Sequence, residues 1–76
     1  MSTRTLQQQL GLAIRARRER LKISQEGFAD KIGMHRAYYG AIERGHKNLT
    51  LKVIERLAEG LGVTPAALFA DAARHG

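Results

Sequence analysis

The chain has 76 residues, which is room for one small domain, and a domain of this size buries only roughly 60% of its surface on folding. With 43% hydrophobic and 26% charged residues it has the composition of an ordinary globular protein, and thirteen Lys and Arg against seven Asp and Glu leave a net charge of +6, which points to a polyanion, either nucleic acid or an anionic membrane surface. It contains no cysteine, which excludes a disulfide framework and thiolate metal sites, so the core must hold it, with or without a partner subunit.

The opening MSTRTLQQQL is polar where a secretory signal needs an apolar region, and no apolar run approaches the roughly 20 residues that span a bilayer. A soluble, cytoplasmic protein is expected. The charge is uneven: residues 1–22 carry six basic and one acidic side chain, 23–48 carry four and three, and 49–76 carry three and three. No repeat or flexible linker interrupts the chain, so it reads as one domain over 1–76 with an ordered core at about 5–70. Helical spacing recurs in every segment and β-type alternation is absent, which predicts an all-α fold.

The first helix is predicted over about 5–21, capped by Thr5 or Thr3, with Leu6, Leu10, Ala13, Ile14 and Leu21 on one stripe. Arg18 falls on that stripe, where a charge needs a partner. Ser24 caps a short second helix whose inward residues are Phe28, Ala29 and Ile32, and Gly33 ends it. Gly27, early in this helix, has no evident role in the sequence.

Only Met34 and His35 separate that helix from a third, over 36–44, which ends at Gly45. Two short helices joined so tightly must cross steeply. Tyr39 and Ile42 face inward, whereas Arg36, Ala37, Gly40, Ala41 and Arg44 share the other side, small in the middle and cationic at the ends. Such a face suits the close approach of something large. A polar, basic loop of Gly45, His46, Lys47 and Asn48 follows. Thr50 then caps a fourth helix with Leu51, Ile54, Leu57, Ala58 and Leu61 inward, closed by Gly62, and Thr64 with Pro65 opens a fifth, anchored by Leu68 and Phe69. The expected architecture is a compact five-helix bundle.

A helix, a tight glycine turn and a second helix with a basic, small-residue face make a helix-turn-helix, here at about 25–44. The block SQEGFADKIGMHRAYYGAIERGHKNLT at 24–50, extended by LKVIERLAEGLGV to residue 63, resembles the Cro/phage-repressor (Xre) type of DNA-binding domain, and most closely the small controller proteins of restriction-modification systems. The resemblance implies the lambda-repressor-like fold, with Gln25 opening the motif, Ala29 where the helices touch, Gly33 in the turn and Ile42 inward. Two residues depart from the family pattern: Tyr39 stands where Ile, Val or Leu is usual, and Gly27 where a charged residue or Ala is common.

The resemblance implies a sequence-specific, double-stranded DNA-binding transcription regulator, and the residue chemistry fits it. Arg36 is expected to read guanine O6 and N7 with its planar fork, Ala37 to touch a thymine methyl, and Gly40 and Ala41 to let the helix lie deep in the major groove. Phosphate contacts are expected from Gln25, His35, Tyr38, Arg44, His46, Lys47, Asn48 and Arg17. Tyr38 could instead pack in the core, and His35 could cap the third helix. A metal at His35 and His46 is not expected, because neither Cys nor a carboxylate cluster accompanies them. In phage repressors the helix 1 arginine pairs with a glutamate of the recognition helix, and the matching residues are Arg18 and Glu43.

One such domain reads too few base pairs to find a genomic site, so a homodimer on a (pseudo)palindromic operator is expected, with Val63, Leu68 and Phe69 as interface; Leu68 and Phe69 could instead close the monomer core. Autoregulation, a restriction-modification controller role, and contact with RNA polymerase are compatible with this reading. The rival is an antitoxin that binds a toxin protein as well as its own promoter. Neither an enzyme nor a cofactor is expected, since no catalytic constellation or phosphate-cradling glycine loop is present, and a membrane-binding role lacks a basic helix with a wide apolar face.

Overall fold

Each helix begins on a side chain that accepts a hydrogen bond from its own first turn. The structure is a computed structural model that describes residues 3–76, with five helices in the order α1 (Leu6–Arg20), α2 (Gln25–Lys31), α3 (Arg36–Glu43), α4 (Leu51–Leu61) and α5 (Pro65–Ala73) and no strand among the described residues. Thr5 caps α1 in a capping box with Gln8, Ser24 caps α2, Thr50 caps α4, and Thr64 caps α5 ahead of Pro65. The cap of α3 is unusual: His35 Nδ1 accepts from the Ala37 amide at 3.2 Å. This is the capping alternative for His35. A Cβ on Gly27 would lie 3.0 Å from Ser24 Oγ, but Gln8, Val53 and Ala67 hold the same position after the caps of α1, α4 and α5, so nothing in the structure explains a glycine there.

The core takes Ile14 from α1, Phe28 and Ala29 from α2, Tyr39 and Ile42 from α3, Leu57, Ala58 and Leu61 from α4, and Leu68 from α5, with Met34 of the turn packed among them. Phe28 and Tyr39 meet at a centroid distance of 5.2 Å and a tilt of 51°. Leu10, Ala13 and Ala72 close α1 against α5. The apolar stripes overreach at their ends. Leu6 is 53% exposed and Leu51 77%, and Leu21 is exposed too; each lies in the first turn or just past the end of its helix. The third helix is one residue shorter than expected, with Arg44 as its C-cap.

Two features hold the helix-turn-helix in place. A Cβ on Gly11 would lie 2.5 Å from the Glu43 carbonyl oxygen and 2.6 Å from that of Ile42, so α1 reaches the end of α3 only because residue 11 has no side chain. At the opposite side α2 and α4 cap each other. Arg56 donates to the Ile32 and Gly33 carbonyls at 2.6 and 3.1 Å, and Lys31 donates to the Gly60 carbonyl at 2.9 Å. These carbonyls end their helices without intrahelical donors, and the exchange supplies them. The turn itself is closed by the Met34 amide on the Ala29 carbonyl at 2.8 Å and by Gly33 at φ 66°.

Candidate nucleic-acid interface

The recognition helix is fixed from beneath by a buried polar cluster. Arg18 Nε and Nη2 donate to the two Glu43 oxygens at 2.6 and 3.1 Å, and Arg18 Nη1 donates to the Ile23 carbonyl at 2.8 Å. Tyr39 donates its hydroxyl to Glu43, and Gln25 Nε2 donates to Glu43 at 3.1 Å. Burial alone would raise the Glu43 carboxyl, but the hydrogen bonds from Arg18, Tyr39 and Gln25 outweigh it and hold the group below the usual carboxylate range. Burial, with the bond to Glu43, pushes the Tyr39 phenol far above its ordinary range, so it stays a donor. The aromatic departure at residue 39 thus fills the core with its ring and completes the carboxylate's shell with its hydroxyl. Among the described residues, no buried side-chain nitrogen or oxygen lacks a partner.

On the outer side, Arg36 and Ala37 stand exposed in the first turn of α3, and Arg44 stands exposed at its end. Arg36 pairs with Glu26 across the turn at 3.3 Å, with both side chains 66% exposed. Such a pair in water contributes little and leaves the guanidinium available. Gly40 and Ala41 depart from the expectation. Ala41 is only 8% exposed, turned toward the interior by the rotation of the helix. Gly40 is covered by the side chains of Gln25 and Arg44, which lie 3.3 and 3.2 Å from where its Cβ would be. Ala41 is thus an interior residue and Gly40 lies beneath two flexible side-chain ends, so the exposed face of α3 narrows to Arg36, Ala37 and Arg44.

The residues expected on phosphate fall into two groups. His46, Lys47 and Asn48 are exposed in the loop after α3, with Lys47 Nζ 5.4 Å from the centre of the half-buried Tyr38 ring, a contact that braces the lysine. Asn48 accepts from Gln7, which ties this loop to α1. Gln25 is half-buried, and one N–H of its side-chain amide is given to Glu43, while its Oε1 lies over Gly40 and its backbone N–H stands at the start of α2. Arg17 stands apart from both. It pairs with Asp71 of α5, on the opposite side of α1, because two positions along a helix turn the side chain away from the face that carries Arg15. Arg15 instead lines one open depression with Arg4, Arg44 and His46, beside the end of α3. Arg4 was not singled out in the sequence, since only tertiary contact brings the chain's start next to residues 44 and 46.

The expected dimer residues separate likewise. Leu68 has 0% exposure and closes the monomer core, so it cannot serve an interface; Phe69 is 38% exposed and Val63 is half-buried. No described helix is long and apolar enough to cross a membrane.

A five-helix bundle in which a short helix, a tight turn and an anchored second helix present arginines beside a basic loop is the architecture of helix-turn-helix regulators. The helix-turn-helix family model matches residues 14–68, and the chain belongs to that family, in its Cro/phage-repressor (Xre) form. It is 44% identical over 55 residues to the control protein C.MunI of Mycoplasma sp, covering 72% of this chain and 74% of that one. The restriction-modification controller protein C.AhdI of Aeromonas hydrophila superposes with a TM-score of 0.78 at 35% identity, covering 82% of this chain and 94% of its own. The controller protein C.Esp1396I, solved as a tetramer with its natural 35 base-pair operator, superposes with a TM-score of 0.83 at 29% identity over 95% of each chain.

Proposed function

We propose that this chain is a sequence-specific, double-stranded DNA-binding transcription regulator that acts as a homodimer on a (pseudo)palindromic operator, in the role of a restriction-modification controller. The observation that carries the reading is the rigid seating of α3: its buried side is clamped by the Arg18–Glu43 pair while Arg36, Ala37 and Arg44 stand outward beside Lys47 and His46. A helix held this way enters the major groove without reorganising, Arg36 reads a base edge, and the loop and the Arg4–Arg15–Arg44 depression meet phosphates on either side. The likeness to control proteins supports this reading and lends nothing to the antitoxin one.

The test is the salt dependence of binding to a selected operator. If each subunit neutralises about four or five phosphates, the dimer shows a log–log slope of roughly −7 to −9. A slope near zero rejects DNA as the partner.

A further inference from the structure

A face that binds a polyanion gains no general affinity from a carboxylate, yet one stands on the outer side of α3. Of the seven acidic side chains in the chain, Glu43 lies buried beneath the recognition helix, Asp71 of α5 pairs with Arg17, and Glu19 pairs with Arg15 along α1. Among the described residues, Glu26 alone pairs with an exposed residue of α3, its Oε2 3.3 Å from Arg36 Nη1. The start of α2 runs along this side. Gln25 sets its Oε1 over Gly40, and the next residue reaches Arg36, one turn earlier on α3. Glu26 therefore belongs to the surface that the proposed function turns toward DNA.

We infer that Glu26 is a positioning residue that makes Arg36 a reader of guanine instead of a phosphate ligand; the inference rests on the DNA-binding reading above. An unrestrained arginine beside a duplex binds the nearest phosphate, because the duplex carries one charge per about 1.7 Å of helix axis. A carboxylate on the guanidinium opposes that outcome twice. It offsets the charge that draws the arginine to a phosphate, and it repels the phosphate itself. The planar fork is left intact: Nη1 gives a hydrogen bond to Glu26, while Nε and Nη2 remain for guanine O6 and N7, which are neutral acceptors. In water the pair is weak. In a groove it loses solvent and its attraction strengthens, so the fork is held most firmly where it reads. A carboxylate in the first turn of α2 also suits the helix dipole, but that role bears on stability and not on which base is preferred.

The experiment is equilibrium binding over a salt series, by fluorescence anisotropy, for the full chain and for Glu26→Gln, Arg36→Ala and the double variant. Three DNAs are compared: a selected operator, the same operator with the guanine whose preference depends on Arg36 replaced in one half-site, and unrelated duplex. Both side chains of the pair are 66% exposed, so the variants keep wild-type helicity by circular dichroism. Glu26→Gln is expected to bind unrelated DNA about 3- to 10-fold more tightly, with a salt slope steeper by about 1 per subunit, as Arg36 joins the phosphate contacts. Its preference for the guanine, about 10-fold or more in the wild type, falls below about 3-fold. In the Arg36→Ala background Glu26→Gln changes no base preference, as two residues acting through one contact require.

Equal tightening on operator and unrelated DNA with the guanine preference kept overturns the inference and leaves Glu26 a general repulsion. Loss of preference at a different base pair, persisting in the Arg36→Ala background, also overturns it and makes Glu26 itself the reader, as a carboxylate accepting from cytosine N4 is. A wild-type base preference that Arg36→Ala leaves whole overturns it while the DNA-binding reading stands. A flat salt slope for the wild type overturns both.

Discussion

Arg18 and Glu43, 25 positions apart, form a two-pronged ion pair beneath the recognition helix, and the glutamate side chain keeps only 3% of its exposure. Removing one partner leaves the other charged and dry, which costs about 3 to 5 kcal/mol. For a domain of this size each kcal/mol lowers the melting temperature by about 4 to 8 °C, so Arg18→Ala is expected to melt at least about 12 °C lower. Calorimetry checks this, and an unchanged Tm rejects the structural role. The paired variant Arg18→Met/Glu43→Leu should recover much of the loss, since an apolar pair of similar volume leaves no charge buried.

Acid should unfold the protein through two carboxylates. The Glu43 carboxyl is held below its ordinary 4.5 against the opposing effect of burial, and the Arg17 guanidinium, by hydrogen bond and charge, holds Asp71 below its ordinary 3.8. A carboxyl lowered in the folded state adds stability that is fully present above its unfolded pKa and disappears as pH falls through the folded one. Tm is therefore expected to be level with respect to these groups from pH 7 to about 5.5 and to fall below about pH 4.5. Asp71→Asn should lower Tm at neutral pH and flatten the acid limb; an unchanged acid limb would show that Asp71 is not one of the groups responsible.

Arg17 separates stability from DNA binding. Because it is engaged with Asp71 across α1 and α5, Arg17→Ala is expected to cost about 1 kcal/mol of stability and to leave the salt slope of operator binding unchanged. Arg15→Ala should do the opposite, reducing the slope by about 1 with little change in Tm. Fluorescence anisotropy across a salt series distinguishes them, and a reduced slope for Arg17→Ala would return that residue to the phosphate contacts.

Readout and anchoring should also come apart. Arg36→Ala is expected to cost about 1 to 3 kcal/mol on the best operator and to relax selectivity at one position of each half-site, whereas Lys47→Ala weakens all sequences about equally. Binding to a panel of single-base operator variants measures both. If the two variants lose affinity uniformly over the panel, Arg36 does not read a base.

Gly11 should tolerate no side chain. Its Cβ would meet two carbonyl oxygens of α3, and backbone cannot swing aside as a side-chain tip can. Gly11→Ala is expected to cost about 1 to 3 kcal/mol and to weaken operator binding, because α3 shifts with the contact. Gly40→Ala, which meets only the ends of Gln25 and Arg44, should fold normally. Equal thermal stability of the two variants would contradict this contrast.

The sequence by itself determined the five helices, four of their caps and the position of the helix-turn-helix, because caps, glycine stops and helical spacing act within a few residues. The resemblance to the phage-repressor family supplied the pairing of Arg18 with Glu43, which the awkwardness of both residues supported. Tertiary structure decided what local spacing cannot encode: that Ala41 and Leu68 are interior, that Leu6 and Leu51 are exposed, that Gly11 is a contact between helices, and that Arg17 faces Asp71 while Arg15 joins Arg4 and Arg44. A helical stripe specifies which residues share a side, but how far along it a neighbour covers them depends on where the other helices end.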